Sequence, residues 1–174
     1  RDREQQHARR LLLWANHVVR PIGEQYPGRI TMTFAYGGSD VPPPDVAPVS
    51  SLWICGSTGA GNIEFWDHAV QQNEPRLKAQ AAKIDLWLKP ALGRYVVCEY
   101  HSGVYTPALV ETMQGRLRWY AARGMKGVLF TYGHPMNFSA LWLYLHSRLL
   151  WNPEQDAGAL AHDFIDFTYG GAAE

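Results

Sequence analysis

An α/β fold built on parallel strands is what this sequence predicts, and three observations predict it. Four short apolar runs rich in β-branched residues are each bounded by glycine, proline or other turn formers. Segments with apolar residues at helical spacing alternate with these runs, and such alternation implies right-handed crossovers between parallel strands. The balance of 47% hydrophobic to 18% charged residues is that of a globular chain with a real core.

The elements follow in order. From Gln5, the residues Ala8, Leu11, Leu12, Ala15, Val18, Val19 and Ile22 fall on one helical stripe; Pro21 predicts a kink or a new turn, and Pro27-Gly28 an end. Arg29 to Tyr36 reads as a strand. Gly37 to Pro48 is so rich in glycine and proline that it reads as a loop. Val49 to Cys55 is a second strand, running into the glycine-rich segment Gly56 to Asn62 and then Glu64 to His68. Glu74-Pro75 opens a helix with Leu77, Ala81, Ile84 and Leu88 on one face, which Pro90 and Gly93 close. Tyr95 to His101 is a third strand. Thr106-Pro107 has the chemistry of a helix start, Val110, Met113, Leu117, Tyr120 and Ala121 form that helix's stripe, and Gly124 suits its end. Lys126 to Tyr132 is the fourth strand. Two helices finish the chain, one striped by Leu141, Leu145 and Leu149, the other capped by Asn152-Pro153 with Leu160, Ala161, Phe164, Ile165 and Phe167 inward.

Bulk properties narrow the function classes. Sixteen basic residues balance sixteen acidic ones, so nucleic acid is not expected as a partner. No window approaches the roughly 18 consecutive apolar residues of a spanning helix, so no membrane partner is expected either. The chain starts at Arg1 without a signal-peptide pattern, and the reading expects a piece of something longer. Cys55 and Cys98 lie inside apolar runs and read as buried free thiols on neighbouring strands. Seven Trp, nine Tyr and six Phe supply faces that can stack on sugar rings, though most such residues serve as core.

The run Y-V-V-C-E-Y-H is the most informative stretch. It puts Glu99 at the last turn of a buried strand, where a carboxylate is costly unless it is paired or used. Active sites of parallel α/β proteins sit at these strand ends, so Glu99 is the catalytic candidate, against the plainer alternative of pairing with an Arg. Alternation sets Tyr95, Val97 and Glu99 on one side of the strand, so Glu99 points to a barrel interior if Val96 and Cys98 pack under the helices. Asp40, Asp45, Glu64 and Asp67 follow strands and are candidates for a second carboxylate. Tyr36, Asp40, Trp66, Tyr100, His101, Tyr132 and His134 gather near strand ends as candidate substrate-binding residues, while the mid-strand Trp53 reads as core. No cofactor is expected: the spacing G-x-x-G-x-G lacks a following Lys-Ser/Thr and does not match the dinucleotide fingerprint. No His/Asp/Glu spacing suggests a metal, and no G-x-S-x-G is present.

Four strands are too few for a closed (β/α)8 barrel, which leaves a small open sheet or half of a barrel. The segment from Leu141 to Glu174 resembles the end of the DUF4838 family, with Tyr144, Leu145, Leu149, Leu150, Trp151, Pro153, Asp156, Phe164, Tyr169 and Gly170 in register. Trp14, Asn16 and Val18, Tyr26-Pro27-Gly28, Phe34 and Tyr36, Asn73, Trp87, Glu99-Tyr100, Pro107 and the Gly124 to Gly127 turn are similar to its middle. The last strand end departs from the pattern, with Tyr132-Gly133-His134 where the family has an aromatic or acidic residue. The resemblance implies a partial (β/α)8 TIM-type barrel: the last four β/α units plus an extra C-terminal helix, as a single domain over residues 1–174 whose N-terminal half lies elsewhere. It implies a glycoside-hydrolase-like protein and gives a substrate class, carbohydrate, but not a reaction; the expected one is hydrolysis of a glycosidic bond, which needs two carboxylates about 5 to 9 Å apart. The alternative is a non-catalytic carbohydrate-binding or scaffolding barrel within a larger protein. A half-barrel exposes two sheet edges, which predicts association with the other half or with a second copy.

Overall fold

Pro21 lies inside the first helix without ending it: in the computed structural model, α1 runs unbroken from Asp2 to Gln25. The carbonyl that loses its donor belongs to the exposed His17, where water can serve it. The structure describes residues 2–57, 75–101, 107–132 and 139–170. After α1 come β1 (Thr31–Ala35), β2 (Leu52–Ser57), α2 (Pro75–Ala91), β3 (Tyr95–His101), α3 (Pro107–Ala122), β4 (Val128–Tyr132), α4 (Ser139–Trp151) and α5 (Ala157–Tyr169). The four strands are all parallel and lie in sequence order, β1-β2-β3-β4. This is not the order of a doubly wound sheet, which reverses at a switch point. Sequential order and right-handed crossovers together send every connecting helix to one side.

Burial bears this out. Ala35, Leu52, Ile54, Tyr95 and Val97 share one face, and each belongs to a single core cluster with residues of all five described helices: Leu12, Trp87, Leu117, Leu145 and Leu160 among them. The opposite face presents Met32, Phe34, Trp53, Cys55, Val96, Cys98 and Leu129, none of which enters that cluster. Trp53 is therefore half-buried on the face opposite the described helices rather than in the core cluster. The arrangement fits a partial barrel with the described helices on one face; on the other, Cys55, Ser57 and Cys98 are buried while Met32 and Phe34 are exposed.

The β1–β2 connection departs from the β/α rule, because residues 36–51 contain no helix. The proline-rich chain descends in extended form beside α1. Gln5 Nε2 donates to Pro42 O at 3.4 Å, Arg9 Nε to Asp45 at 2.7 Å, and Asn16 Nδ2 to Ala47 O at 2.8 Å. Asn16 Oδ1 also accepts from Val49 N–H at 2.9 Å, so one buried amide serves two backbone groups of a segment that has no ladder of its own. Meanwhile α1 packs on both β1 and β2, covering the groove a crossover helix would fill.

Several boundaries and faces differ from expectation. Asp156, not Asn152-Pro153, caps α5, its carboxylate accepting from Ala159 N–H at 3.0 Å. Phe167, expected inward, is 91% exposed, and Val18 and Ile22 of the α1 stripe are also exposed. That stripe is wider than the strip of helix the sheet covers.

Candidate functional site

The carboxyl end of β3 carries the most heavily bonded acid among the described residues. Glu99 is fully buried, and Arg116 Nε donates to its Oε1 at 2.6 Å while Arg116 Nη2 reaches Oε2 at 3.3 Å. Tyr120 Oη donates to the same Oε1 at 2.6 Å. His146 Nε2 stands 4.0 Å from Oε2, its ring held between Phe130 and Trp142 and its Nδ1 3.1 Å from the Trp142 carbonyl. Arg116 and Tyr120 belong to α3, one turn apart, and His146 to α4. Glu99 therefore points into the helix layer. Val96 and Cys98 lie on the face opposite the described helices, outside the core cluster those helices share, so the condition for an inward Glu99 is not met. A carboxylate sealed from water needs a counter-charge and filled lone pairs, and this one has both. Burial and the neighbouring Glu99 charge push the Tyr120 phenol well above its usual pKa, which keeps it a donor.

The other strand ends are less buried. After β1, Tyr36 is 46% exposed, and the buried Ser39 hydroxyl accepts from Tyr36 N–H and donates to Tyr36 O, both at 2.9 Å. Asp40 is held by Lys83 of α2 at 3.2 Å, and the same ammonium lies 3.6 Å from Glu4. Asp45 is further down the descending segment, paired with Arg9, which holds its carboxyl below the usual range. It lies on the flank of α1, away from the strand ends where the sequence had placed it. After β2, the Ser57 carbonyl accepts from Gln80 Nε2 at 2.7 Å. Tyr100 pairs in register with Thr131, and His101 with Tyr132, so these four backbones share the end of the β3–β4 ladder; their side chains lie outside the described residues. Glu64, Trp66, Asp67 and His134 also lie outside them.

The structure thus brings Tyr36 and Asp40 together at one strand end and sets Glu99 apart in the helix layer. Sequence reasoning missed Arg116, Tyr120 and His146. A signal for the first was present: Arg116 falls between Met113 and Tyr120 on the apolar stripe of α3, and a charge there calls for a buried partner. Among the described residues no group of three or more His, Cys, Asp or Glu could hold a metal, and no helix is long and apolar enough to cross a membrane.

The family model described as "Domain of unknown function (DUF4838)" matches residues 2–174. The chain belongs to the DUF4838 family. No curated protein and no solved structure matches it. Within this DUF4838 chain, Asn16 serves as the clamp on the helix-free connection, and Tyr144 packs on Phe164 with ring centroids 5.4 Å apart, joining α4 to α5. Trp151 is 91% exposed.

Proposed function

We propose that this chain is the C-terminal half of a TIM-type, glycoside-hydrolase-like barrel and handles carbohydrate at the carboxyl ends of its strands. The observation that carries the reading is the sequential order of four parallel strands with every described helix packed on one face. Half of a (β/α)8 barrel is built this way, and barrels put their sites at the carboxyl ends. The family resemblance adds the substrate class.

Of the two modes open to such a half, binding or scaffolding within a larger protein is favoured over hydrolysis by the described acids, Glu64 and Asp67 lying outside the described residues. Glycoside hydrolysis needs a carboxyl group that reaches the leaving oxygen and a second about 5 to 9 Å away. Glu99 has no exposure and is bonded to Arg116 and Tyr120, and Asp40 is bonded to Lys83. Both support other elements.

The test uses the protein, Glu99→Gln and Asp40→Asn on aryl glycosides and uronides, with oligosaccharide binding followed by calorimetry. The expected result is sugar binding in all three proteins and no hydrolysis that depends on Glu99. Hydrolysis by the parent that falls by orders of magnitude in Glu99→Gln, at unchanged Tm, would put Glu99 in the catalytic pair and overturn the binding reading.

A further inference from the structure

The sequence holds two cysteines, and the fold sets them side by side. Cys55 lies on β2 and Cys98 on β3, the middle strands of the described sheet. The register pairs Cys55 with Val96 and Ser57 with Cys98, and side chains two positions apart on a strand share a face. Both thiols therefore stand on the face opposite the described helices, on adjacent strands and offset by two residues. Neighbouring strands lie about 4.8 Å apart and two residues advance a strand by about 6.6 Å, so sheet twist decides which of the two diagonals is short enough for contact. Here the diagonal is the short one, because the Cys55 thiol donates a hydrogen bond to the Cys98 sulfur. A single buried cysteine is explained as a small apolar filler. Two in contact bring together both sulfurs that one disulfide needs.

Their surroundings decide when the pair reacts. Both residues are 0% exposed, so no reagent reaches either sulfur while β2 and β3 stay paired. Burial, and then Cys98, push the Cys55 thiol up to about 12, which makes the attacking thiolate scarce at neutral pH. Opening of the strand pair removes both barriers at once.

We infer that Cys55 and Cys98 are a dithiol that a disulfide oxidant closes, on opening of the strand pair, into a covalent tie between β2 and β3. The thiolate of one cysteine attacks the oxidant RSSR, forming a mixed disulfide and expelling RS⁻. The second thiolate attacks the protein sulfur of that mixed disulfide and expels the other RS⁻. Two protein thiols are oxidised, one small disulfide is reduced to two thiols, and the two protons pass to the leaving thiolates. The tie restrains the opened chain, so it acts by making β2 and β3 harder to part. Two helices are held at its ends: Glu99, next to Cys98, is bonded to Arg116 of α3, and the Ser57 carbonyl accepts from Gln80 of α2. The inference stands apart from the carbohydrate reading.

The test treats the full-length protein with oxidised glutathione, in buffer and in urea below the unfolding midpoint, then blocks remaining thiols with iodoacetamide and maps the peptides. The expected product is a cross-linked peptide pair carrying Cys55 and Cys98, lighter by two hydrogens than the reduced pair and formed faster in urea. Hydrogen exchange is then followed over Leu52–Ser57 and Tyr95–His101. Closing the tie is expected to slow exchange there by ~10-fold or more, and dithiothreitol to restore the original rate. In Cys98→Ala, glutathione should leave exchange in these strands unchanged. The reversal by dithiothreitol reads the same effect without any substitution. Free thiols, or a glutathione on each cysteine, after oxidation in urea overturn the inference. A cross-link that leaves exchange unchanged overturns the tie, and one formed equally fast without urea overturns its dependence on opening.

Discussion

Glu99 and Arg116 form an ion pair with both side chains sealed from solvent, at 0% and 1% exposure, and it ties the end of β3 to the middle of α3. Removing either partner leaves the other charged in a dry site. Glu99→Ala and Arg116→Met are each expected to cost about 3–5 kcal/mol, read as a fall in urea midpoint. The double replacement Glu99→Met/Arg116→Met is expected to lose less than the two singles summed. Additive losses would mean that the pair is not coupled.

Gly56 of β2 and Tyr95 of β3 share one site on the helix-covered face. A Cβ on Gly56 would overlap the Tyr95 hydroxyl, so Gly56→Ala must push a ring that is 1% exposed. Overpacking of this kind costs about 1–3 kcal/mol. Tyr95→Phe removes the clashing oxygen, and Gly56→Ala should be measurably less harmful in that background. Equal losses in both backgrounds would argue that the clash is relieved some other way.

Alkaline pH should unfold this protein through groups that must stay protonated inside it. Burial, and then the neighbouring Cys98, push the Cys55 thiol from 9.0 up to about 12. Burial also raises the phenols of Tyr95 and Tyr120 above their ordinary value. In each case the folded state holds a proton that the unfolded chain releases earlier. Their contribution is whole below the unfolded pKa and is lost as pH rises through the folded one, so stability should fall from about pH 9 upward. Cys55→Val should flatten the first part of that fall. A midpoint that stays level between pH 9 and 12 would contradict the assignment.

Asn16 holds the descending connection by two bonds, to Ala47 O and from Val49 N–H. Asn16→Ala is expected to cost about 2 kcal/mol, within the range for buried groups left unpaired. Hydrogen exchange gives the local readout: the Val49 amide should lose protection while those of β3 keep theirs. Protection lost across the whole sheet would mean that the clamp supports more than its own segment.

Much of the architecture was legible because parallel strands buried on one side and helices with one apolar face leave different periods in the sequence. The Tyr95–His101 strand was read to the residue, since Gly93 stops the helix before it and the apolar run is unbroken. An Arg partner for Glu99 was among the readings of the sequence, but which Arg it is, like the Asp40–Lys83 pair, was not legible, because each pair joins residues 17 or more positions apart and only the fold sets their distance. The direction of Glu99 was undetermined for a related reason. Strand alternation divides residues into two sets but does not say which set meets the helices; only the packing of Tyr95 and Val97 with helix residues in the core cluster shows it. The outward turn of Phe167 and Trp151 was hidden too, because an apolar residue at helical spacing signals a buried face whether or not a neighbour is there to bury it.

The sequential strand order has a consequence for synthesis. Among the described residues every strand pairs only with its immediate predecessor and successor in the chain, so none of these pairings waits for a distant segment to arrive. Synthesis delivers α1, β1 and β2, with the residues Asn16 bonds, before β3. Growth then proceeds by adding one strand at a time to the last edge, which keeps loop-closure entropy low at each stage. Among the described residues β1 forms one edge from the start, and the newest strand forms the other, which in this chain ends as β4.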